Sequence, residues 1–213
     1  MTIYHYAVIE RPRSHATSAA DLNPNMESVD YKRQPSPKRL REAIEASAGV
    51  TCGIFRGGMF GLTTNQIAVL SAWEDFDTVH GCMEKHCQRE GVTVAAYKNL
   101  QATVRPQTVE TLTRAGIYVI RWIEMSSSDV ADYTALCLQT WPAFEAKDAA
   151  RCVGVFRVDD ESEPCLLLML TWYENLTEWE KSRQLADKDA ELWVRRSKME
   201  LSHWAQTGRI ELD

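Results

Sequence analysis

The sequence predicts an α+β fold: two tandem β-α-β-β-α-β halves, residues 1–108 and 115–213, closed on each other as a pseudo-dimeric barrel. Two observations predict it. First, strand-like segments recur in the same order. Ile3-Tyr4-His5-Tyr6-Ala7-Val8-Ile9-Glu10 returns as Ile117-Tyr118-Val119-Ile120-Arg121-Trp122-Ile123-Glu124. Thr51-Cys52-Gly53-Ile54-Phe55-Arg56 returns as Cys152-Val153-Gly154-Val155-Phe156-Arg157, and Ser71-Ala72-Trp73-Glu74-Asp75 as Thr171-Trp172-Tyr173-Glu174-Asn175. A period of about a hundred residues is the size of a domain, not of a solenoid unit. Second, the order of elements in each half is the split βαβ arrangement of ferredoxin-like folds. Such a half has an antiparallel sheet with both helices on one face, and its other face is apolar and needs cover. The second copy supplies that cover.

The elements read as follows. Residues 2–10 alternate and are rich in Ile, Val and Tyr, so they predict a strand. A polar stretch follows, over residues 11–36, with Asn23-Pro24-Asn25 and Pro35-Ser36-Pro37. It is long for a connection in a compact domain, and one reading makes it a partner-binding loop. Ser36 caps a helix with Pro37 at its first position and Leu40 and Ile44 on one face. Val50–Arg56 and Gln66–Trp73 form a hairpin turned by Gly57-Gly58. A helix follows over about Asp77–Glu90, ended by Gly91, and a last strand is expected near Gln101–Arg105. The stretch 106–114 links the halves and has some helical character. In the second half, strand 116–124 precedes a helix that Ser128 or Asp129 could cap, running to about Phe144. A hairpin follows over 152–158 and 165–173, then a long helix over roughly 177–204, and Arg209-Ile210-Glu211-Leu212 closes the chain as a strand.

Composition narrows the function. The 213 residues carry 45% hydrophobic and 25% charged residues, ordinary for a globular chain. A net charge of -6 without a dense Lys/Arg cluster argues against a nucleic-acid partner. The longest apolar run, Cys165 to Trp172, is far short of a membrane span, and no signal peptide is evident, so a cytoplasmic protein is expected. The six cysteines fall mostly inside apolar patterns and read as buried free thiols. There is no G-x-S-x-G and no Gly-rich phosphate loop opening a helix.

Side-chain alternation splits the first strand of each half into two faces. One carries Tyr4, Tyr6, Val8 and, in the second copy, Tyr118, Ile120, Trp122. The other carries Ile3, His5, Ala7, Ile9 and Ile117, Val119, Arg121, Ile123. His5 and Arg121 are polar exceptions on equivalent faces, and a polar group there needs a partner or a ligand. The plain alternative is a hydrogen-bonded core His and an Arg paired with a carboxylate. His86 lies near the inward face of the helix after the third strand, marked by Val79, Met83 and Cys87. Only Cys82 and His86 form an i, i+4 pair there, so a structural zinc would need ligands from elsewhere and no metal is expected. Trp73 and Trp172 end matched strands. They read either as an aromatic wall for a planar ligand or as packing between sheet and helices.

With its G-[IV]-F-R strands and its strand-ending Trp73-Glu74 and Trp172-Tyr173-Glu174, each half resembles the dimeric α+β barrel superfamily. That superfamily includes antibiotic-biosynthesis monooxygenase-like, NIPSNAP-like and haem-degrading proteins. Members usually pair two identical chains, so the fused halves resemble a covalent pseudo-dimer, with edges left for a homodimer of pseudo-dimers. The resemblance implies a monooxygenase-like oxidoreductase acting on a planar apolar small molecule, a phenol or quinol or haem, in a barrel pocket. It implies either no cofactor or haem. In the cofactor-free variant His5 or His86 is the base and Arg121 the cation, with Trp73, Trp172 and Tyr6 holding the substrate. In the haem variant His86 is the iron ligand. The competing reading is a non-catalytic small-molecule-binding or stress-related barrel, because fold does not fix function.

Overall fold

In a computed structural model of the chain, which describes residues 2–12, 35–58, 60–184 and 190–212, eight antiparallel strands close into one barrel. The elements are β1 (Ile3–Glu10), α1 (Pro37–Ala46), β2 (Val50–Arg56), β3 (Gln66–Trp73), α2 (Phe76–Glu90), β4 (Thr93–Arg105), β5 (Ile117–Met125), α3 (Val130–Glu145), β6 (Ala150–Val158), β7 (Cys165–Tyr173), α4 (Leu176–Lys181), α5 (Ala190–Ser197) and β8 (Ser202–Ile210). Around the barrel the order is β1-β3-β2-β8-β5-β7-β6-β4. The polar stretch 11–36 lies for the most part outside the described residues.

The register repeats as the sequence does. Ile3 faces Trp73 across β1 and β3, and Ile117 faces Tyr173 across β5 and β7. Each hairpin carries a bulge at the matching place, between Thr51 and Gly53 and between Cys152 and Gly154. The two seams match as well. Ala102 pairs with Phe156 where β4 meets β6, and Ile210 pairs with Phe55 where β8 meets β2. Even the caps correspond: Asp75 accepts from the Thr78 N–H at the start of α2, and Asn175 from the Glu178 N–H at the start of α4.

Alternation sorts the core into layers. The barrel interior holds Tyr4, Tyr6, Val8, Phe55, Leu70, Tyr118, Ile120, Trp122, Phe156 and Leu170 among others. Two equivalent ring pairs interleave the halves there, Tyr4 on Phe156 at 5.0 Å and Phe55 on Tyr118 at 5.1 Å. Burial pushes the Tyr4 and Tyr118 hydroxyls up to about 12. Outside the barrel, Ala7, Ile9, Ile54, Ile67 and Val69 pack on α1 and α2. In the second half Ile123, Val155, Leu167 and Met169 pack on Tyr133, Cys137 and Trp141 of α3. All six cysteines are free thiols, five of them buried. No helix among the described residues is long and apolar enough to cross a membrane.

Three expected elements differ. The helix over 177–204 stops much earlier, and Ser202–Ile210 is a strand paired with β5 along its length, so Trp204 sits on a strand. The last strand of the first half starts at Thr93 rather than Gln101, because β1 pairs with it from Glu10 onward. The link 106–114 contains no helix. In the first two cases pairing to a neighbour overrides a polar, helix-compatible local sequence. The helix α3 also follows a short 3-10 turn at Ser127–Asp129, and neither Ser128 nor Asp129 supplies a side-chain cap.

Candidate functional site

Cavities lie between the barrel wall and its helices in both halves. In the first half a cleft of about 480 Å³ opens between α2 and β4. Its helix side is the stripe Phe76, Val79, His80, Met83 and Glu84, at the i, i+3, i+4 spacing that puts side chains on one face. Its sheet side is His5, Val94, Tyr97 and Asn99. Antiparallel pairing sets His5 opposite Asn99 and Ala7 opposite Tyr97.

His5 is 4% exposed. Its Nδ1 lies 2.9 Å from Asn99 Oδ1, and its ring stacks on Tyr97 at 5.8 Å. With the carboxamide oxygen facing it, Nδ1 carries the proton and donates, which leaves the Nε2 lone pair as the basic site. Burial lowers the His5 pKa, the Asn99 bond opposes that, and His80 adds to the lowering. The imidazole is therefore neutral at pH 7 and able to accept a proton.

Arg121 does not join this site. It lies on the helix-facing side of β5, at a recess of about 50 Å³ lined also by Trp141, Trp193 and Arg196. The two expected partners occupy equivalent faces of different halves, so a His–Arg pair does not form. His86 is 2% exposed, lines neither cavity, and has both ring nitrogens buried without a partner. Burial is the largest cause of its lowered pKa.

The three expected substrate-binding aromatics are elsewhere. Tyr6 points into the barrel, on the opposite side of β1 from His5, and donates to Gln206 Oε1 at 2.8 Å. Trp172 is also in the barrel cluster, with its Nε1 donating to Ala115 O at 3.0 Å. Trp73 packs under the helices of the first half and donates to Ser71 Oγ at 2.7 Å. Trp73 and Trp172 end matched strands but sit one position apart in register, which turns them to opposite faces. Asn99 and Tyr97 escaped the sequence reading, since only the β1–β4 register brings them to His5.

No group of three or more metal-ligating side chains occurs among the described residues. Haem does not fit either cleft. It needs an axial ligand together with cations for its carboxylates. The cleft with His5 and His80 has Asp77 and Glu84 as its charged lining, the wrong sign. The recess with the arginines has no histidine.

No family model matches the chain, and no curated protein matches it. Solved structures do. A chlorite dismutase mutant from Candidatus Nitrospira defluvii aligns with a TM-score of 0.63 at 8% identity, covering 99% of this chain and 92% of that one. An anthrone oxidase-like protein aligns at 0.57 and 10% identity, covering 99% and 92%. A monooxygenase-like protein of Lactobacillus acidophilus NCFM aligns at 0.55 and 10% identity, covering 100% and 99%. The chain thus has the fold of the dimeric α+β barrel proteins, and its structural neighbours are chlorite dismutase-like and monooxygenase-like members of that class.

Proposed function

We propose that the chain is a cofactor-independent oxygenase acting on a phenol or quinol in the first-half cleft. One observation carries the reading: a buried, neutral imidazole, oriented by Asn99, faces a cavity of about 480 Å³ with an aromatic wall. That volume lies within the range of about 300–1,000 Å³ typical of small-molecule sites. The neighbours' names, anthrone oxidase-like and monooxygenase-like, favour the same chemistry.

In this reading a planar substrate lies against Tyr97 with its hydroxyl toward His5. Nε2 takes the phenolic proton. The imidazolium, still held by Asn99, is then the cation beside the new anion, the role expected of Arg121. The anion is electron-rich enough to react with dioxygen. A quinol plus dioxygen gives a hydroxyquinone plus water, with the quinol supplying the electrons, so no external reductant is needed. His80 and Glu84 at the mouth are available to relay the proton to water.

The matching registers and bulges support reading residues 1–108 and 115–213 as ferredoxin-like repeats that arose by duplication.

Oxygen uptake with a panel of quinols and phenols tests the function. The wild type should consume oxygen with at least one of them, and His5→Gln should lower kcat by about 10²–10⁴. Turnover unchanged in His5→Gln would sink the role of His5. Binding of the panel without oxygen uptake would replace the oxygenase with a non-catalytic small-molecule-binding protein.

A further inference from the structure

We propose that the second half holds a separate binding site for a small organic oxyanion, a carboxylate or phosphate carried on an apolar body. Arg121, Arg183 and Arg196 line one recess of about 50 Å³ between β5, β7 and the helices, and none of its other lining residues is acidic.

Arg196 is the strongest evidence. It is 4% exposed, and its Nε is buried without a partner. Among the described residues its only hydrogen-bond contact is a long one, 4.0 Å from Nη1 to Cys137 Sγ. Its charge otherwise rests on ring faces, Trp193 at 4.1 Å and Tyr133 at 5.7 Å. A guanidinium taken out of water without a counter-charge is costly, and cation–π contacts offset part of that only. Two described carboxylates of this region, Glu145 and Glu200, are committed elsewhere. Glu145 accepts from Arg105 and from the Cys152 N–H, and Glu200 accepts from the Tyr133 hydroxyl and lies 3.0 Å from His203. Among the described residues Arg121 has no hydrogen-bond or ion-pair partner either. Among the described residues no carboxylate pairs with Arg121 or Arg196, and the partner assigned to them is an anion from outside the chain, taken by the planar, forked geometry that suits carboxylate and phosphate.

The recess is only large enough for the head of a ligand. An adjoining one of about 220 Å³ shares Phe144, Ser182 and Trp193 with it; Ala143, Ala149 and Ala150 give an apolar body somewhere to lie, and Lys147, Glu178, Lys181 and Gln184 make the rest of its lining polar. The site belongs to this half alone: the register equivalent of Arg121 in the first half is Ala7, packed in the core. It stands whether or not the first-half cleft is catalytic.

Calorimetric titration of the full chain with phenyl phosphate, benzoate and inorganic phosphate tests the site. Phenyl phosphate or benzoate should bind saturably with one site per chain, and whichever binds tighter identifies the head group. Arg196→Met should weaken binding tenfold or more. Because that variant alters a buried position, Arg121→Gln, at a half-buried one, provides the second arm and should weaken binding to a similar degree. Inorganic phosphate should bind at least tenfold more weakly than phenyl phosphate. The proposal is overturned if neither organic anion saturates on the order of 10 mM. It is equally overturned if Arg121→Gln binds as the wild type does, or if inorganic phosphate binds as tightly as phenyl phosphate.

Discussion

The two halves have one backbone plan and opposite site chemistry. Where the first half has His5 and Asn99, the register of β5 with β7 and β8 puts Val119 and Thr207. Where the second half has Arg121 opposite Ala205, the first has Ala7 opposite Tyr97. Inside the barrel the ring pairs match, Tyr4 with Tyr118 and Phe55 with Phe156, while Tyr6 stands where the second half has Ile120 and Val8 where it has Trp122, all of them apolar or aromatic. The residues that line the space under the helices diverged. Barrel closure needs both halves to fill a shared interior at close packing, so a change on one side is felt by the other. The space under each helix layer is private to its half and free to take on chemistry.

The largest test of that comparison lies in the shared interior. Phe55→Ala and Phe156→Ala should each cost about 3–5 kcal/mol, read as the loss of unfolding free energy in urea. Equal costs fit one interior built twice. A loss confined to one of the two would mean that the halves pack on each other unequally.

A smaller effect separates the outer layers by pH. His5 and His86 both have lowered pKa values, with burial as the leading cause, and both belong to the first half. In the unfolded chain each titrates near its ordinary value of about 6.5. Folding therefore favours the neutral forms, and their stability contribution is complete above about pH 6.5. It is lost as pH falls through that value toward the lowered ones, because the unfolded state then binds more protons. The urea midpoint should drop between about pH 7.5 and about pH 5. The drop should shrink in His5→Val/His86→Leu, which gives position 5 the residue of the second half. An undiminished drop in that variant would assign the pH dependence to other groups.

The smallest effect is at the seams. Arg56 forms a two-pronged ion pair with Glu211, whereas its equivalent, Arg157, forms no ion pair among the described residues and donates to Ser127 Oγ at 3.3 Å. Arg56→Ala should cost about 1 kcal/mol and Arg157→Ala about 0.5 kcal/mol or less, since both seams are part-exposed and water screens them. Equal costs in thermal melts would show that the ion pair adds nothing to the β2–β8 seam.

The apolar strands were legible because each carries its own evidence. β1, β5 and both hairpins alternate or run apolar over their whole length, and their recurrence in the same order doubled the signal. The strands β4 and β8 were not. Ser202-His203-Trp204-Ala205-Gln206 has several exposed positions and no apolar period, and it becomes a strand only because β5 offers a free edge. The site was half legible for the same reason. A lone histidine on an apolar face marked His5, but Asn99 and Tyr97 lie on β4, whose start local sequence hides. His86, on the inward face of its helix, is buried and lines neither cavity, and the exposed His80 lines the cleft.

The sequence by itself determined the recurrence of strand segments in the same order, the faces of β1 and β5, the hairpins, and two polar residues out of place on apolar strands. All of these are properties of residues near one another in the chain, where periodicity is written. Only the tertiary structure decided that His5 and Arg121 line different recesses, and that Trp73 and Trp172 face opposite ways. It alone brought Asn99 to orient the imidazole and left Arg196 buried with no ion pair among the described residues. Those outcomes depend on strand register and barrel closure, where a shift of one residue reverses a side chain, and local sequence carries no record of that choice.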